Sequence, residues 1–255
     1  MAKSDKIRLV ARLEVKGDHL VKGIQLEGLR KLGDPHAFAR GYYEAGIDEI
    51  LYLDIVASLY ERNNLSHIVR RTTGDVFIPI TVGGGLRSVE DVRGILQQGA
   101  DKAAINTAAV KDPSLITRVA EAYGSQCMVL SIQAKRRRDG PGWEAYYDNG
   151  REHSGLDVVE WAKRGAELGA GEILLTSVDR EGLGQGMDHE LIRAVTAAVS
   201  VPVIAAGGAA GPDDVALAAG EGASAVALSS LLHYKRMEVG TLKAALAARG
   251  VGVRA

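Results

Sequence analysis

Two glycine-rich segments, each at the end of an aliphatic run, are well suited to bind an anion. They are Thr81–Gly85, with Gly84 and Gly85, and Ala205–Ala209, with Gly207 and Gly208. Glycine lets the backbone approach a ligand closely, and the free N–H groups at a helix start attract phosphate. Hydroxyl and amide donors end the next aliphatic run in each case: Asn106, Thr107, Ser229 and Ser230. We predict two phosphate sites and a ligand with two phosphates; glycines that serve only tight turns are the alternative.

Polar residues at the ends of other aliphatic runs could contact the same ligand. Asp54 ends the second run, and four residues end or follow the sixth: Thr176, Ser177, Asp179 and Glu181. Lys22 follows the first run in a segment that could reach a phosphate. We predict substrate contacts for all six residues, and plain solvation in loops is the alternative.

The elements that would position these residues are eight short aliphatic runs separated by helix-like stretches such as Ser88–Gln98 and Ser114–Tyr123. The predicted strands are Ile7–Val15, Glu49–Asp54, Ile78–Val82, Lys102–Asn106, Cys127–Gln133, Glu172–Val178, Val201–Ala205 and Ala223–Ser229. Alternating strands and helices indicate parallel βα units, and eight such units close into a barrel whose active site lies at the carboxyl ends of its strands. The sequence therefore predicts an α/β protein, a single (β/α)8 TIM barrel, with a hairpin-like excursion over residues 136–155.

An internal repeat relates the two halves of the chain. Three pairs of segments match at a constant spacing of 123 residues: Gly46–Leu51 with Gly169–Leu174, Gly84-Gly85 with Gly207-Gly208, and Gly99–Asp101 with Gly222–Ser224. A constant spacing indicates duplication of a structural unit. We predict one domain over residues 1–255, made of half-barrels at about 7–123 and 124–255.

Composition excludes several classes of protein. Hydrophobic residues make up 46% of the chain and aromatic residues only 5%, which is typical of α/β proteins. The net charge of −1 lacks the excess of positive charge that is typical of nucleic-acid-binding proteins, and no apolar run approaches the length of a membrane span. Cys127 is the single cysteine, so no intramolecular disulfide forms, and the first residues lack the pattern of a secretion signal. No histidines have the spacing of metal ligands. We expect a cytoplasmic protein with no metal and no cofactor.

The chain resembles the cyclase subunits of imidazole glycerol phosphate synthase from about Ile7 to Arg254. The matching segments are Val21–Gly23, Leu29–Pro35, Asp48–Ala57, Thr81–Gly85, Gly99–Val110, Pro113–Gln126 and Gly169–Gly182. The resemblance implies a lyase that works as a heterodimer with a glutaminase docked on the N-terminal face of the barrel. Ammonia from the glutaminase would pass through the barrel and react with a bis-phosphorylated ribonucleotide. The products would be imidazole glycerol phosphate and an aminoimidazole carboxamide ribonucleotide, in histidine biosynthesis.

The resemblance also assigns roles at the N-terminal end of the barrel. The family closes this mouth with a ring of charges, and this chain has charges at the starts of four predicted strands: Arg8, Glu49, Lys102 and Glu172. We predict that these residues form an ammonia gate, with solvated charges as the alternative. Asp101 matches a position that the family uses against its glutaminase.

Two catalytic positions depart from the family, which has an aspartate at the ends of the first and fifth strands. Here they are Glu14 and Gln133, and Gln133 cannot titrate. Strand alternation places Arg12 on the same inward face as Glu14, and their pairing would make Glu14 a poorer proton donor. A different function therefore stays open: a diverged paralogue without cyclase activity. Such a protein would conduct ammonia between a glutaminase and another amidotransferase, such as one acting in sugar or surface-polysaccharide amidation.

Overall fold

Eight aliphatic segments pair side by side into a closed parallel barrel in the computed structural model, which describes residues 6–57 and 65–254. The strands in chain order are β1 (Lys6–Lys16), β2 (His19–Ile24), β3 (Glu27–Gly33), β4 (Glu49–Asp54), β5 (Ile80–Gly83), β6 (Lys102–Ile105), β7 (Met128–Arg136), β8 (Trp143–Tyr147), β9 (Glu152–Asp157), β10 (Glu172–Ser177), β11 (Val203–Ala206), β12 (Ala225–Leu228) and β13 (Gly252–Val253). The barrel consists of β1, β4, β5, β6, β7, β10, β11 and β12, and β12 closes it by pairing with β1.

Helices cover the outside of the barrel, and several begin at residues that cap them. They are α1 (Pro35–Glu44), α2 (Ser66–Thr72), α3 (Val89–Gln97), α4 (Thr107–Lys111), α5 (Ser114–Tyr123), α6 (Val158–Glu167), α7 (His189–Ala198), α8 (Pro212–Gly220), α9 (Ser230–His233) and α10 (Val239–Ala248). At the start of α3, Ser88 and Asp91 form a reciprocal capping box. Asp157 accepts hydrogen bonds from two N–H groups at the start of α6. No helix in the described ranges is long and apolar enough to cross a membrane.

The predicted fold class is confirmed, and the eight predicted strands match the barrel strands to within a few residues. The hairpin-like excursion is also confirmed as β8 and β9, which extend β7 by antiparallel pairing. A second hairpin, β2 with β3, was not predicted, and it pairs with the end of β1. Residues 1–5, on which part of the secretion prediction rests, lie outside the described residues.

The repeated glycines adopt matching backbone conformations in the two halves. Gly84 has φ +92° and Gly207 has φ +98°, a region that residues with a side chain rarely adopt. A Cβ on Gly84 would lie 2.1 Å from the carbonyl oxygen of Asp54, and one on Gly207 would lie 2.5 Å from that of Ser177. Each glycine therefore brings the backbone tightly against the end of the preceding strand of its half.

The interior of the barrel between its two ends is apolar. Nine buried aliphatic side chains form one cluster there: Val10, Leu51, Ala104, Val129, Leu174, Ile204, Ala206, Ala225 and Ala227. On β1, Val10 lies between Arg8 and Arg12, which point inward below and above it. Four residues of strand separate the two arginines, or about 13 Å. Charged groups thus face the interior at both ends of an apolar core.

Candidate functional site

A cavity of about 540 Å³ opens at the carboxyl ends of the barrel strands, on the side of the first half. Seven of the residues predicted for the site line it: Asp54, Gly84, Gly85, Asn106, Thr107, Gln133 and Thr176. Asp54 is buried, and its carboxylate accepts a hydrogen bond from the N–H of Val56 at 3.1 Å. The structure therefore brings the first glycine-rich segment, the polar residues Asn106 and Thr107 at the end of the next strand, and Gln133 of the fifth barrel strand together around one cavity.

The corresponding residues of the second half lie beyond this cavity and are covered. Gly207, Gly208, Ser229 and Ser230 are buried and do not line the cavity. The N–H of Gly186 donates to the carbonyl of Gly208 at 2.9 Å, so the loop after β10 packs over this segment. The hydroxyls of Ser177 and Ser229 are buried and have no hydrogen-bond partner among the described residues. Unpaired buried hydroxyls favour a bound polar group at this second segment.

Glu14 and Lys22 lie in a buried ion cluster with Arg12 and Glu181. Arg12 Nη2 lies 2.8 Å from Glu14 Oε1, and Lys22 Nζ lies 2.9 Å from Glu14 Oε2. Glu181 completes the cluster by contacting Lys22 Nζ and, at 3.4 Å, Arg12 Nη1. These four side chains are at most 4% exposed. Two cations and two anions therefore balance at this end of β1, and the pairing of Arg12 with Glu14 agrees with the sequence analysis.

The cluster favours the charged forms of Glu181, Lys22 and Arg12. Burial alone would raise the pKa of Glu181, but the charges of Arg12 and Lys22 outweigh it and lower this pKa to about 2. Burial likewise opposes the charge of Lys22, and Glu14 and Glu181 together raise its pKa. Next to the cluster, burial lowers the pKa of His233 to about 4. His233 Nε2 lies 3.0 Å from the carbonyl oxygen of Arg12, which the neutral ring can reach as a donor.

Asp179, also predicted at the site, binds the loop after β10 to its neighbours. Its carboxylate accepts from the N–H of Arg136 at 2.8 Å, and its carbonyl accepts from Gln25 Nε2 at 3.1 Å. Gln25 follows β2, so Asp179 links the unpredicted hairpin to the barrel rim. This residue has a positioning contact in the described structure and does not line the cavity.

At the opposite end of the barrel, the four predicted gate residues form a closed ring of ion pairs. Arg8 bridges Glu49 at 2.6 Å and Glu172 at 2.5 Å. Lys102 bridges the same two carboxylates at 3.3 Å and 2.8 Å. The side chains of Arg8 and Lys102 are 13% and 18% exposed, so the ring lies at the mouth in reach of water. The ring alternates in sign and closes the barrel interior from this side.

Asp101 lies beside the ring on the N-terminal face. Its carboxylate accepts a hydrogen bond from the N–H of Ile80 at 2.7 Å, although the residue as a whole is exposed. Asp101 and Phe77 line a shallow cavity of about 380 Å³, and Phe77 is 74% exposed. A large exposed aromatic beside a charged ring is a feature of interaction surfaces.

The sequence analysis missed several residues that line the main cavity. Arg87 follows the first glycine-rich segment, and Lys111 follows Asn106 and Thr107 in the sequence. The others belong to the β8–β9 hairpin: Tyr147, Asp148, Asn149 and Glu152. The N–H of Asp148 donates to Thr107 Oγ1 at 3.1 Å, which holds the hairpin turn over the cavity. The sequence Asp148-Asn149-Gly150 signals a tight turn, and both non-glycine residues have positive φ. That signal locates the turn but does not say that it covers the cavity.

Comparisons with known proteins relate this chain to one family. The chain matches the family described as histidine biosynthesis protein over residues 8–238. A protein of Legionella pneumophila named imidazole glycerol phosphate synthase subunit HisF is 59% identical over 202 residues, which cover 79% of this chain and 95% of that protein. Proteins with the same name from Mycobacteroides abscessus and Caulobacter vibrioides are each 48% identical. These alignments cover 97% and 98% of this chain, and 98% and 96% of the respective relatives.

Proposed function

Because the chain belongs to the HisF family of imidazole glycerol phosphate synthase subunits, we propose that it is the cyclase subunit of a glutamine amidotransferase complex. This lyase would use ammonia from a glutaminase to convert a bis-phosphorylated ribonucleotide into imidazole glycerol phosphate and an aminoimidazole carboxamide ribonucleotide. The proposal places the reaction in histidine biosynthesis, in the cytoplasm.

The observation that carries the substrate assignment is the pair of matched glycine-rich strand ends. Gly84 and Gly207 have matching positive φ at equivalent strand ends of the two halves, and Gly84 lines the main cavity. In barrels, a phosphate site commonly lies in the loops at this end. One segment lines the open cavity, and the other lies beside the unpaired hydroxyls of Ser177 and Ser229. Two such sites suit one ligand with a phosphate at each end.

The route for ammonia in this proposal runs along the barrel axis. Ammonia would enter through the ring formed by Arg8, Glu49, Lys102 and Glu172 and would pass the apolar interior toward the cavity. An apolar interior disfavours ammonium and admits the neutral molecule, because an unpaired charge there loses its hydration. The ring contacts water at one side, so opening it costs less than breaking a fully buried set of ion pairs.

The glutaminase would dock on the N-terminal face, around the ring, Asp101 and the exposed Phe77. Co-purification with a glutaminase tests this surface. We expect Asp101→Lys and Lys102→Glu to weaken the complex at least tenfold, since each reverses a charge at the interface centre. The control is Glu160→Lys, on the outer ring of helices, which should bind normally. Equal binding by all three variants would exclude this face.

A specific observation favours the second candidate, an ammonia conduit without cyclase chemistry. Both oxygens of Glu14 are within 2.9 Å of a buried cation, and Gln133 cannot exchange a proton. Loss of a general acid or base typically slows a reaction by about 10²–10⁴-fold. A conduit needs neither group, and it keeps the ring at the barrel mouth.

One assay separates the two candidates. The purified chain is supplied with the bis-phosphorylated ribonucleotide and ammonium salt, and product formation is followed. The proposal expects both products, with turnover that falls when Gly84→Ala or Gly207→Ala disturbs a phosphate site. Gly94→Ala is the control, because a Cβ on this helical glycine meets nothing within 4 Å. Absence of turnover by a folded protein would reject the cyclase and retain the conduit.

A further inference from the structure

The side-chain amide of Gln133 is uncommitted inside the main cavity. Gln133 lies on β7 and lines the cavity, and its Oε1 is buried without a hydrogen-bond partner. Within residues 6–57 and 65–254 we find no hydrogen bond to either end of this amide. A buried polar group without a partner costs about 1–3 kcal/mol. An unpaired amide in the wall of a cavity therefore points to a ligand that completes its hydrogen bonds.

Asn106 offers a second unpaired acceptor next to Gln133. Its Nδ2 donates to the carbonyl of Tyr146 at 3.2 Å, and Tyr146 lies opposite Gln133 in the pairing of β7 with β8. This hydrogen bond fixes which end of the Asn106 amide is the donor. Asn106 Oδ1 is consequently left as a buried acceptor without a partner among the described residues. A ligand that completes this site presents an N–H or O–H donor to it.

Arg12 does not turn this part of the cavity into an anion site. Its Nη1 donates to Thr176 Oγ1 at 3.2 Å, and Thr176 is the strand neighbour of Gln133 in the pairing of β7 with β10. The guanidinium is paired with Glu14 and Glu181, so its charge is already balanced. Arg12 therefore offers no unpaired charge to an anion beside Gln133, and the buried Oδ1 of Asn106 favours a hydrogen-bond donor there over a carboxylate or phosphate.

We propose that Gln133 recognises a primary carboxamide of the ligand, and that Asn106 accepts from an amino group beside it. Two primary amides pair through two hydrogen bonds, one in each direction, which satisfies both ends of Gln133. The terminal torsion of a glutamine is soft, so a small turn brings its oxygen and nitrogen to the ligand. The assignment rests on the proposed function, whose aminoimidazole carboxamide ribonucleotide carries both groups.

Calorimetric titration with two ribonucleotides tests the assignment without turnover. The probes are the aminoimidazole carboxamide ribonucleotide and its carboxylate counterpart, which differ only in the group that Gln133 would contact. We expect the wild-type chain to prefer the carboxamide by about tenfold or more, as one mismatched buried hydrogen bond predicts. Gln133→Met has similar length and no hydrogen-bonding group, so its preference should fall to about one.

Gln97→Met is the matched control, because Gln97 is an exposed residue of α3; it should keep the wild-type preference. Thermal unfolding checks that both variants fold. If Gln133→Met does not fold, the preference of the wild-type chain between the two probes still tests the assignment. The assignment is overturned if the wild type prefers neither probe, prefers the carboxylate or binds neither one. It is equally overturned if a folded Gln133→Met keeps the preference. Turnover without a preference rejects only the carboxamide assignment, whereas a preference without turnover rejects only the cyclase reaction.

Discussion

Replacing Glu181 by glutamine tests whether the buried ion cluster stabilises the fold as its geometry indicates. Glu181 contacts both Lys22 and Arg12, and its side chain is 4% exposed. The glutamine keeps the size of the side chain and removes its charge, leaving two buried cations with Glu14 as their single anion in the cluster. Breaking a buried ion pair by removing one partner typically costs about 3–5 kcal/mol.

The pKa of Glu181 gives a second route to this magnitude. Its pKa is lowered from 4.5 to about 2 in the folded chain, which corresponds to about 3 kcal/mol of stability at neutral pH. A carboxyl with a lowered folded pKa contributes stability that is present above its unfolded value of 4.5. That contribution is lost as the pH falls toward about 2. At pH 3, about 1 kcal/mol should remain.

Urea unfolding at pH 7, 5, 4 and 3 measures these values for the wild type and for Glu181→Gln. The difference between them isolates this carboxyl from others that titrate in the same range. We expect a difference of about 3 kcal/mol at pH 7 that shrinks steadily below pH 4.5. Glu160→Gln, which breaks an exposed pair with Lys163, should show no measurable difference at any pH. Equal stability of Glu181→Gln and wild type at pH 7, or a pH-independent difference, would refute the reasoning.

Three further predictions test other parts of the structure. Gly84→Ala, with a Cβ 2.1 Å from the carbonyl oxygen of Asp54, should lower inorganic phosphate affinity at least tenfold in titrations, whereas Gly94→Ala should not. Lys102→Glu places three carboxylates around Arg8 and should lower glutamine-dependent turnover relative to ammonium-dependent turnover when the glutaminase is saturating; an unchanged ratio would exclude the gate. His233, with a pKa of about 4, should stay neutral as the pH falls through 6.5. The free energy of unfolding should therefore fall between pH 6.5 and about 4, because only the unfolded chain takes up this proton there. Nitrogen NMR shifts of the ring check this, and a titration midpoint near 6.5 would contradict it.

The sequence predicted those features that local patterns determine. The eight aliphatic runs and the repeated glycines located the strand ends, because parallel barrel strands end on one rim. Alternation along β1 sufficed to pair Arg12 with Glu14, which are two residues apart. Lys22 was predicted to contact substrate, and no local pattern indicated its partner Glu181, which is 159 residues away. Only the unpredicted β2–β3 hairpin and the loop after β10 bring these two side chains together.

Two charge clusters face the barrel interior from β1, and their exposure assigns them different roles. Each contains two cations and two carboxylates, one centred on Arg8 and the other on Arg12. The first has cations 13–18% exposed, so water can hydrate them in place of an ion pair. The second is at most 4% exposed, so separating its charges would leave them without water. Separating the charges of the first cluster therefore costs less free energy than separating those of the second. The second cluster therefore serves as a fixed support beside the cavity, and the unpaired oxygens there are Gln133 Oε1 and Asn106 Oδ1, through which we propose that the ligand is recognised.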